Sequence, residues 1–189
     1  MGKIIVEQIV SADGYAAEED GGIGFFHPGS DFSGTEPEQM RMMVTVGAIV
    51  FGATTYRMFA DYWPKADATV ERVAGPINAL PKFVVSSTLE TAPWGDYPGV
   101  EIIHTDGVQA LRELRARTAG DLILWGSLTL CDALLRAGEV DVLRLRVVPV
   151  LIGRGRSFAP GDLGKRQLSL VKAESYAGGI AVLEYAIER

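Results

Sequence analysis

Short apolar segments alternate with helix-like segments over the first two thirds of the chain, and no other pattern in the sequence limits its fold as strongly. The apolar segments are rich in Val and Ile and are bounded by Gly, Pro, Ser or Asp, which predicts buried strands. They are Ile4–Val10, Ala48–Phe51, Phe83–Val85, Val100–Ile103 and Leu122–Trp125. Between them lie the predicted helices Glu36–Val46, Thr54–Phe59, Ala68–Leu80, Val108–Arg117 and Leu128–Arg136. Because strands that alternate with helices build parallel sheets, we expect a three-layer α/β fold with a mostly parallel sheet.

The last third of the chain follows a different pattern. Asp141–Leu151, Leu168–Tyr176 and Ile180–Ile187 are predicted strands with no helix between them. The last two are separated only by Ala177-Gly178-Gly179, a sequence typical of a tight turn. We therefore expect an antiparallel hairpin at the C-terminal end of the sheet.

Composition and charge exclude several classes of function. The chain has 189 residues, with 18 Lys and Arg against 24 Asp and Glu, and we expect one domain over residues 1–189. The net charge of −6 offers no basic surface for nucleic acid, and no apolar run reaches the ~18 residues of a membrane span, so neither partner is expected. A single Cys131 and the separated His27 and His104 give neither a disulfide nor a zinc-ligand pattern, which favours a cytoplasmic location.

Two connections between predicted elements are unusual. Gly14–Thr35 contains six glycines, and loops of this length are typically lids or binding loops, although a surface excursion is the alternative. The glycines are Gly14, Gly21, Gly22, Gly24, Gly29 and Gly34. Ile152–Arg166 contains Gly153-Arg154-Gly155-Arg156, which suits either an anion site or a solvated turn.

Small and hydroxyl residues follow three of the predicted strands. They are Gly52-Ala53-Thr54-Thr55, Ser86-Ser87-Thr88 and Gly126-Ser127-Leu128-Thr129. In a parallel sheet these strand ends share one edge, where free helix-start amides and hydroxyls can hold phosphate. Ordinary helix caps and turns would use the same residue types, so each motif alone has a structural explanation. The common Rossmann and NTPase glycine motifs are absent from the sequence.

The order and spacing of several short motifs resemble the dihydrofolate reductase-like superfamily. The motifs are Ser11-Ala12-Asp13-Gly14, Gly52-Ala53-Thr54-Thr55-Tyr56, Pro81-Lys82 with Val85-Ser86-Ser87, Trp125-Gly126-Ser127, Gly138-Glu139-Val140-Asp141-Val142-Leu143 and Pro149-Val150-Leu151-Ile152-Gly153-Arg154-Gly155. The nearest branch is related to the reductase domain of the bifunctional riboflavin-biosynthesis deaminase/reductase. The resemblance implies a central eight-stranded sheet, NADPH along its carboxyl edge, and hydride transfer to a pteridine-like or ribosylaminopyrimidine-like substrate. It also implies a homodimer.

The resemblance implies a cofactor site at the strand ends. The implied cofactor-binding residues are Val10 and Ala16 beside the nicotinamide, Gly52, Ala53, Thr54 and Thr55 at the pyrophosphate, Ser86 and Ser87 near the adenosine phosphate, and Gly126, Ser127, Leu128 and Thr129 on the other side. Ala53 stands where the family often has an Arg that binds the 2′-phosphate of NADPH, so NADH is not excluded. Lys82 is a possible replacement for that Arg, or a solvated lysine.

The substrate-binding residues are less well defined by the sequence. In folate-reducing relatives a carboxylate early in the helix after the long loop binds the pterin ring, which points to Glu36 or Asp31. Glu38 is predicted to form a capping box with Thr35, and Asp13 is read as a turn former. Arg146 shares a strand face with Arg144 and is expected either to hold a substrate anion or to be a solvated or subunit-interface residue. The rival to a reductase is a catalytically silent ligand-binding or interaction protein on the same scaffold.

Overall fold

The computed structural model describes residues 2–27 and 30–188, and it contains ten strands and five α-helices. Gly29 of the predicted loop lies outside the described residues. The strands are β1 (Ile4–Ser11), β2 (Tyr15–Ala17), β3 (Val46–Gly52), β4 (Lys82–Val85), β5 (Glu101–Ile103), β6 (Asp121–Trp125), β7 (Val142–Val148), β8 (Arg156–Ser157), β9 (Leu168–Ser175) and β10 (Ala181–Ile187). The helices are α1 (Glu36–Met43), α2 (Ala53–Tyr62), α3 (Ala74–Ala79), α4 (Gly107–Arg117) and α5 (Leu128–Ala137).

Eight of the strands form one sheet in the order β5-β4-β3-β6-β1-β7-β10-β9. Every pair from β5 to β7 is parallel, whereas β10 is antiparallel to both β7 and β9. This arrangement confirms the mostly parallel eight-stranded sheet and the C-terminal hairpin. The chain reverses between β9 and β10 at residues 177–179, where Gly178 has φ +77°.

The apolar core lies on both faces of the sheet, which makes three layers. On one face, Ile4 and Val6 of β1 pack with residues of α4 and α5. On the opposite face, Ile5 belongs to a second apolar cluster with residues of α1, α2 and α3. Strand side chains alternate between faces, so a strand buried on both sides must be almost wholly apolar. The predicted strands were recognisable for this reason.

Two predicted helices are shorter in the structure, whereas the one predicted over Thr54–Phe59 is longer and spans Ala53–Tyr62. The helix predicted over Ala68–Leu80 is reduced to α3, because Asp67 Oδ1 accepts hydrogen bonds from the amide and the hydroxyl of Thr69. A local side-chain bond of this kind competes with helix formation. The helix predicted to reach Val46 ends at Met43, because Val46 already belongs to β3.

The two unusual connections contact each other. β2 pairs with β8 in a separate two-stranded sheet, with Tyr15 opposite Ser157. The Asp13 carboxylate accepts hydrogen bonds from the amides of Ile152 and Gly153, at 3.3 and 2.7 Å, which agrees with its reading as a turn former. The sequence pattern did not predict this pairing, because strands of two or three residues leave no periodic signal.

The arginines of the second connection interact with the acidic residues of the first. Arg154 Nε lies 3.2 Å from a carboxylate oxygen of Glu19, and Arg156 Nε donates a hydrogen bond to the Glu19 carbonyl at 3.0 Å. In this arrangement both guanidinium groups bind the loop of residues 14–35.

Candidate active site at the carboxyl edge of the sheet

Helices α2 and α5 begin side by side at the carboxyl ends of β3 and β6. Gly52 is the residue before α2, and Ser127 is the residue before α5. The Ser127 amide donates a hydrogen bond to the Thr55 hydroxyl at 2.9 Å. The structure thus brings two of the three hydroxyl-rich motifs into direct contact.

Both glycines at this contact lie too close to their neighbours to carry a side chain. A Cβ on Gly52 would overlap the Ser127 hydroxyl, and a Cβ on Gly126 would lie 2.9 Å from Thr55 Oγ1. Gly126 also has φ +57°, which a residue with a side chain rarely adopts. Close approach and backbone conformation therefore both require glycine at 126.

Neither of these helix starts has a side-chain cap. In α4, by contrast, the Asp106 carboxylate accepts hydrogen bonds from the amides of Val108 and Gln109, at 3.0 and 3.2 Å. No side chain caps α2 or α5, both of which lie within the described residues. The first amides of a helix need an acceptor, and paired helix starts of this kind suit an anion such as a pyrophosphate.

The third hydroxyl-rich motif follows β4. The Ser86 hydroxyl accepts hydrogen bonds from the amides of Thr88 and Leu89, each at 3.2 Å, and so shapes the turn. The Ser86 carbonyl accepts a hydrogen bond from His104 Nδ1 at 2.8 Å, since a carbonyl can only accept. Ser87 is exposed. His104 is a neighbour of this motif that the sequence did not indicate.

The end of β1 connects to the turn between β6 and α5. Gln8 Nε2 donates a hydrogen bond to the Gly126 carbonyl at 2.8 Å, and the Gly126 amide donates to the Glu7 carbonyl at 3.3 Å. Val10, two residues further along, is buried, and so is Ala16 of β2. Val10 and Ala16 therefore offer apolar side chains close to the point where the chain leaves β1.

Four buried charged residues lie between α1 and the sheet, and together they are called the ionic cluster: Glu7, Glu38, Arg144 and Arg146. Arg144 Nε lies 2.9 Å from Glu7 Oε2, and Arg144 Nη2 lies 2.7 Å from Glu38 Oε1. Arg146 Nε lies 3.2 Å from Glu7 Oε1. Glu184 joins the cluster through an ion pair with Arg144. Lys172 joins it through Glu38, with 3.2 Å between Lys172 Nζ and Glu38 Oε1.

The neighbouring charges stabilise the ionised forms of Glu7 and Arg144. Burial by itself would raise the pKa of Glu7, but the guanidinium groups of Arg146 and Arg144 outweigh it and hold the pKa below its ordinary value of 4.5. Burial would likewise lower the pKa of Arg144, and the carboxylates of Glu7 and Glu38 raise it. The Trp125 indole also donates a hydrogen bond to Glu7 Oε1, at 2.8 Å.

One contact in the ionic cluster is incomplete. Among the described residues, Glu38 Oε2 and Arg146 Nη2 are buried side-chain atoms without a hydrogen-bond partner, and they lie 3.5 Å apart. Arg146 Nη1 donates to the Thr35 hydroxyl at 2.8 Å. Arg146 therefore binds protein groups and is buried, so the expectation of a solvated arginine is wrong.

The predicted capping box is wrong. The Thr35 hydroxyl donates to the Phe32 carbonyl at 2.8 Å and accepts from Arg146, and it makes no cap bond to α1. A turn of 3-10 helix at Ser33–Thr35 precedes α1 and leaves Thr35 with a helical backbone, which is unsuited to capping. Glu38 consequently points into the ionic cluster.

The two carboxylates proposed for substrate lie apart from that cluster. Glu36 Oε2 accepts a hydrogen bond from the Arg72 amide at 3.1 Å, and Asp31 Oδ1 accepts one from the Ser33 amide at 2.9 Å. The Ser33 hydroxyl and amide hold the pKa of Asp31 below its ordinary value. Both carboxylates have partners in the protein, and Asp31 is exposed.

Lys82 does not occupy the place of the missing arginine. It is buried, and its Nζ donates hydrogen bonds to the carbonyls of Ile77, Asn78 and Leu80, at 3.0, 2.8 and 2.6 Å. The amine also lies 5.0 Å from the centre of the Trp94 ring. Burial lowers its pKa to about 8. Its role is to bind the last carbonyls around α3, which corrects both readings of this lysine.

Two kinds of feature are absent from residues 2–27 and 30–188. In those ranges no group of three or more His, Cys, Asp or Glu residues is placed to bind a metal ion. No helix of the same ranges combines the length and the apolar character needed to cross a membrane.

The sheet order and the paired helix starts define a three-layer α/β protein with a dihydrofolate reductase-like fold. Dihydrofolate reductase from Enterococcus faecalis, in a complex with NADP(H), matches with a TM-score of 0.63 and 13% identity, over 100% of this chain and 98% of that one. A profile of the RibD C-terminal domain matches residues 2–182. The chain therefore belongs to the RibD C-terminal domain family.

Two relatives show how far this similarity extends. A pyrimidine reductase-like protein from Corynebacterium diphtheriae matches with a TM-score of 0.72 and 20% identity, over 100% of this chain and 92% of that one. The uncharacterized protein YyaP of Bacillus subtilis is 20% identical over 185 residues, which cover 97% of this chain and 94% of YyaP. The expected relation to the riboflavin-biosynthesis reductase domain is thus confirmed at the level of the family.

Proposed function

We propose that this protein is an NAD(P)H-dependent reductase of a small heterocyclic substrate, either pteridine-like or ribosylaminopyrimidine-like. The observation that supports it most directly is the contact between two uncapped helix starts, at Gly52 and Ser127. Membership of the RibD C-terminal domain family supports the reductase class. A bound nicotinamide cofactor would supply the hydride, so the protein needs no nucleophile or metal of its own.

In this proposal the chain binds the cofactor along the carboxyl edge. The amides of Ala53, Thr54 and Thr55 and those of Leu128 and Thr129 hold the pyrophosphate from two sides, while Gly52 and Gly126 allow the two helix starts to approach each other closely. Val10 and Ala16 flank the nicotinamide, and Ser86 and Ser87 approach the adenosine phosphate. Because Ala53 brings no charge and Lys82 is bound elsewhere, we include both NADPH and NADH.

Titration of the protein with NADPH and with NADH, followed by fluorescence, tests the cofactor site. We expect at least one of the two to bind with a dissociation constant well below millimolar. Absence of binding of both cofactors up to millimolar concentration would contradict the reductase proposal.

The partners of the carboxylates around α1 and β1 favour a second proposal, a ligand-binding protein without catalysis. Glu36, Asp31, Glu7 and Glu38 each bind at least one other protein group, unlike a carboxylate held ready for a pterin ring as in folate-reducing relatives. Loss of NADPH absorbance with dihydropteridine and ribosylaminopyrimidine substrates separates the two proposals. Cofactor binding without any turnover would favour the silent protein.

We also propose a homodimer that forms through the outer strand β9. Leu170 and Val171 are each 60% exposed on this strand, and its outer edge has no neighbour in the sheet order. Exposed apolar residues on an edge strand suit association with a second copy. Light scattering at micromolar concentration should give twice the mass of the chain, and a monomer would contradict this proposal.

The proposed location is the cytoplasm. Cys131 is the only cysteine, and its thiol is buried and donates a hydrogen bond to the Phe158 carbonyl at 3.3 Å. Burial raises the pKa of this thiol to about 12. A fold that uses no disulfide is compatible with a reducing compartment. Fractionation of cells, with the protein followed by antibody, would test the location.

A further inference from the structure

The contact between α2 and α5 depends on one hydrogen bond to an unusual residue. Ser127 has φ +54° and ψ +66°, and among residues 2–27 and 30–188 it is the one residue other than glycine with a positive φ. Its amide donates to the buried Thr55 hydroxyl at 2.9 Å. A serine in this left-handed conformation needs support from its surroundings.

Four residues interlock around this bond, and they are called the helix-start clasp: Gly52, Thr55, Gly126 and Ser127. The missing side chain of Gly52 leaves room for the Ser127 hydroxyl, and the missing side chain of Gly126 leaves room for Thr55. The Ser127 carbonyl then accepts the first hydrogen bond of α5, from the Cys131 amide at 2.9 Å. The conformation of Ser127 therefore sets the direction of the first amides of α5.

We propose that Thr55 is a positioning residue for the cofactor site. Its hydroxyl holds Ser127 in the left-handed conformation, and this fixes the start of α5 against the start of α2 so that both can bind one anion. The inference rests on the proposed function, and it assigns to the Thr55 side chain a role that works through Ser127 and not through contact with the cofactor.

Two substitutions of Thr55 separate the hydroxyl from the shape of the side chain. Thr55→Val keeps the branched shape but removes the acceptor, whereas Thr55→Ser keeps the acceptor. We expect Thr55→Val to weaken NADPH binding at least about tenfold, and Thr55→Ser to stay within about threefold of the original protein. Equal losses in the two variants would contradict a role for the hydroxyl.

A second background tests whether Thr55 acts through Ser127. Glycine adopts the left-handed conformation without support, so Ser127→Gly should remove the dependence on Thr55. We expect Thr55→Val to weaken NADPH binding less than about threefold when Ser127→Gly is present. A tenfold loss in both backgrounds would overturn the proposal.

Melting temperatures of the original protein, Thr55→Val, Ser127→Gly and the double variant distinguish failure of this inference from failure of the proposed function. Thr55→Val should lower the melting temperature, and Ser127→Gly should make that decrease smaller. If the original protein binds neither NADPH nor NADH, the cofactor proposal fails, and this thermal coupling still decides whether Thr55 supports Ser127. Additive thermal effects would show that it does not.

Discussion

Two polar regions meet at β1, and they differ in how their hydrogen-bonding groups are satisfied. The side chain of Glu7 belongs to the ionic cluster, in which Arg144, Arg146 and Trp125 all bind it. The carbonyl of the same residue accepts the Gly126 amide, at the edge of the helix-start clasp. Most polar atoms of the ionic cluster have partners within it, and only Glu38 Oε2 and Arg146 Nη2 lack a hydrogen bond among the described residues, whereas the amides that begin α2 and α5 have no side-chain acceptor. Saturated polar groups stabilise a fold, and unsaturated ones at a surface are available to a ligand.

The largest effect that this comparison predicts is on stability. Glu7→Gln removes a buried negative charge and leaves Arg144 and Arg146 with too few partners, so the free energy of unfolding should fall by about 3–5 kcal/mol. Chemical denaturation measures this loss. Glu36→Gln is the matched control, since Glu36 lies in α1 outside the ionic cluster, and it should cost less than about 1 kcal/mol. Similar costs for the two variants would contradict a stabilising role of the ionic cluster.

The pH dependence of stability tests the same residue. Because the pKa of Glu7 is below 4.5 in the folded protein, the unfolded chain binds a proton first as the pH falls. The stabilisation is therefore complete above pH 4.5 and is lost as the pH falls through the lowered folded value. Below pH 4.5 the original protein should lose stability more steeply than Glu7→Gln. Parallel curves would exclude a lowered pKa for Glu7.

The second effect is on cofactor affinity at the helix-start clasp. Gly126→Val places a side chain against Thr55 Oγ1 and should weaken cofactor binding at least about tenfold, equivalent to about 1.4 kcal/mol. Gly138→Val is the control, because Gly138 also has a positive φ, of +67°, but a Cβ there would meet no atom within 4 Å. Affinity and melting temperature should both be measured. If both variants lose only melting temperature, Gly126 serves the turn and not the cofactor site.

The smallest effect concerns α4, which is capped by its own side chain. Asp106→Ala removes the bonds to the amides of Val108 and Gln109 and should lower the free energy of unfolding by about 1 kcal/mol. Cofactor affinity should not change, since α4 has no need of a ligand at its start. A parallel loss of affinity would mean that the capped and uncapped helix starts do not differ in function.

The sequence predicted the strands of the sheet better than the polar contacts. Apolar strands buried on both faces leave a strong local signal, and Gly178-Gly179 marked the final turn correctly. The ionic cluster was missed because its bonds join residues that are far apart in the chain, such as Glu7 and Arg144. Glu7, a charge inside an apolar strand, was the available signal for a buried ion pair, but nothing local identified its partner.

The sequence predicted which motifs form the candidate site, but not the contacts between their side chains. Gly52, Thr55, Gly126 and Ser127 were all expected at one edge of the sheet, and the structure places them in contact. The hydrogen bond from the Ser127 amide to Thr55 requires a left-handed backbone at Ser127. The conformational preference of serine does not predict this backbone. Thr35 and Glu38 were misread because the capping-box pattern is local, whereas the preceding 3-10 turn and the distant Arg146 decide where their side chains point.

The central position of β1 has a consequence for the synthesis of the protein. Ile5 pairs with Ile123 on one side and with Val142 on the other, so both neighbours of this strand are made more than a hundred residues later. At ribosomal rates of about 5–20 residues per second, β1 waits roughly ten seconds for its partners. Throughout that interval the nascent chain carries an apolar strand with two unpaired edges. This topology therefore exposes β1 to aggregation during translation, and the segment that later lies at the centre of the sheet is of the extended apolar kind that chaperones bind.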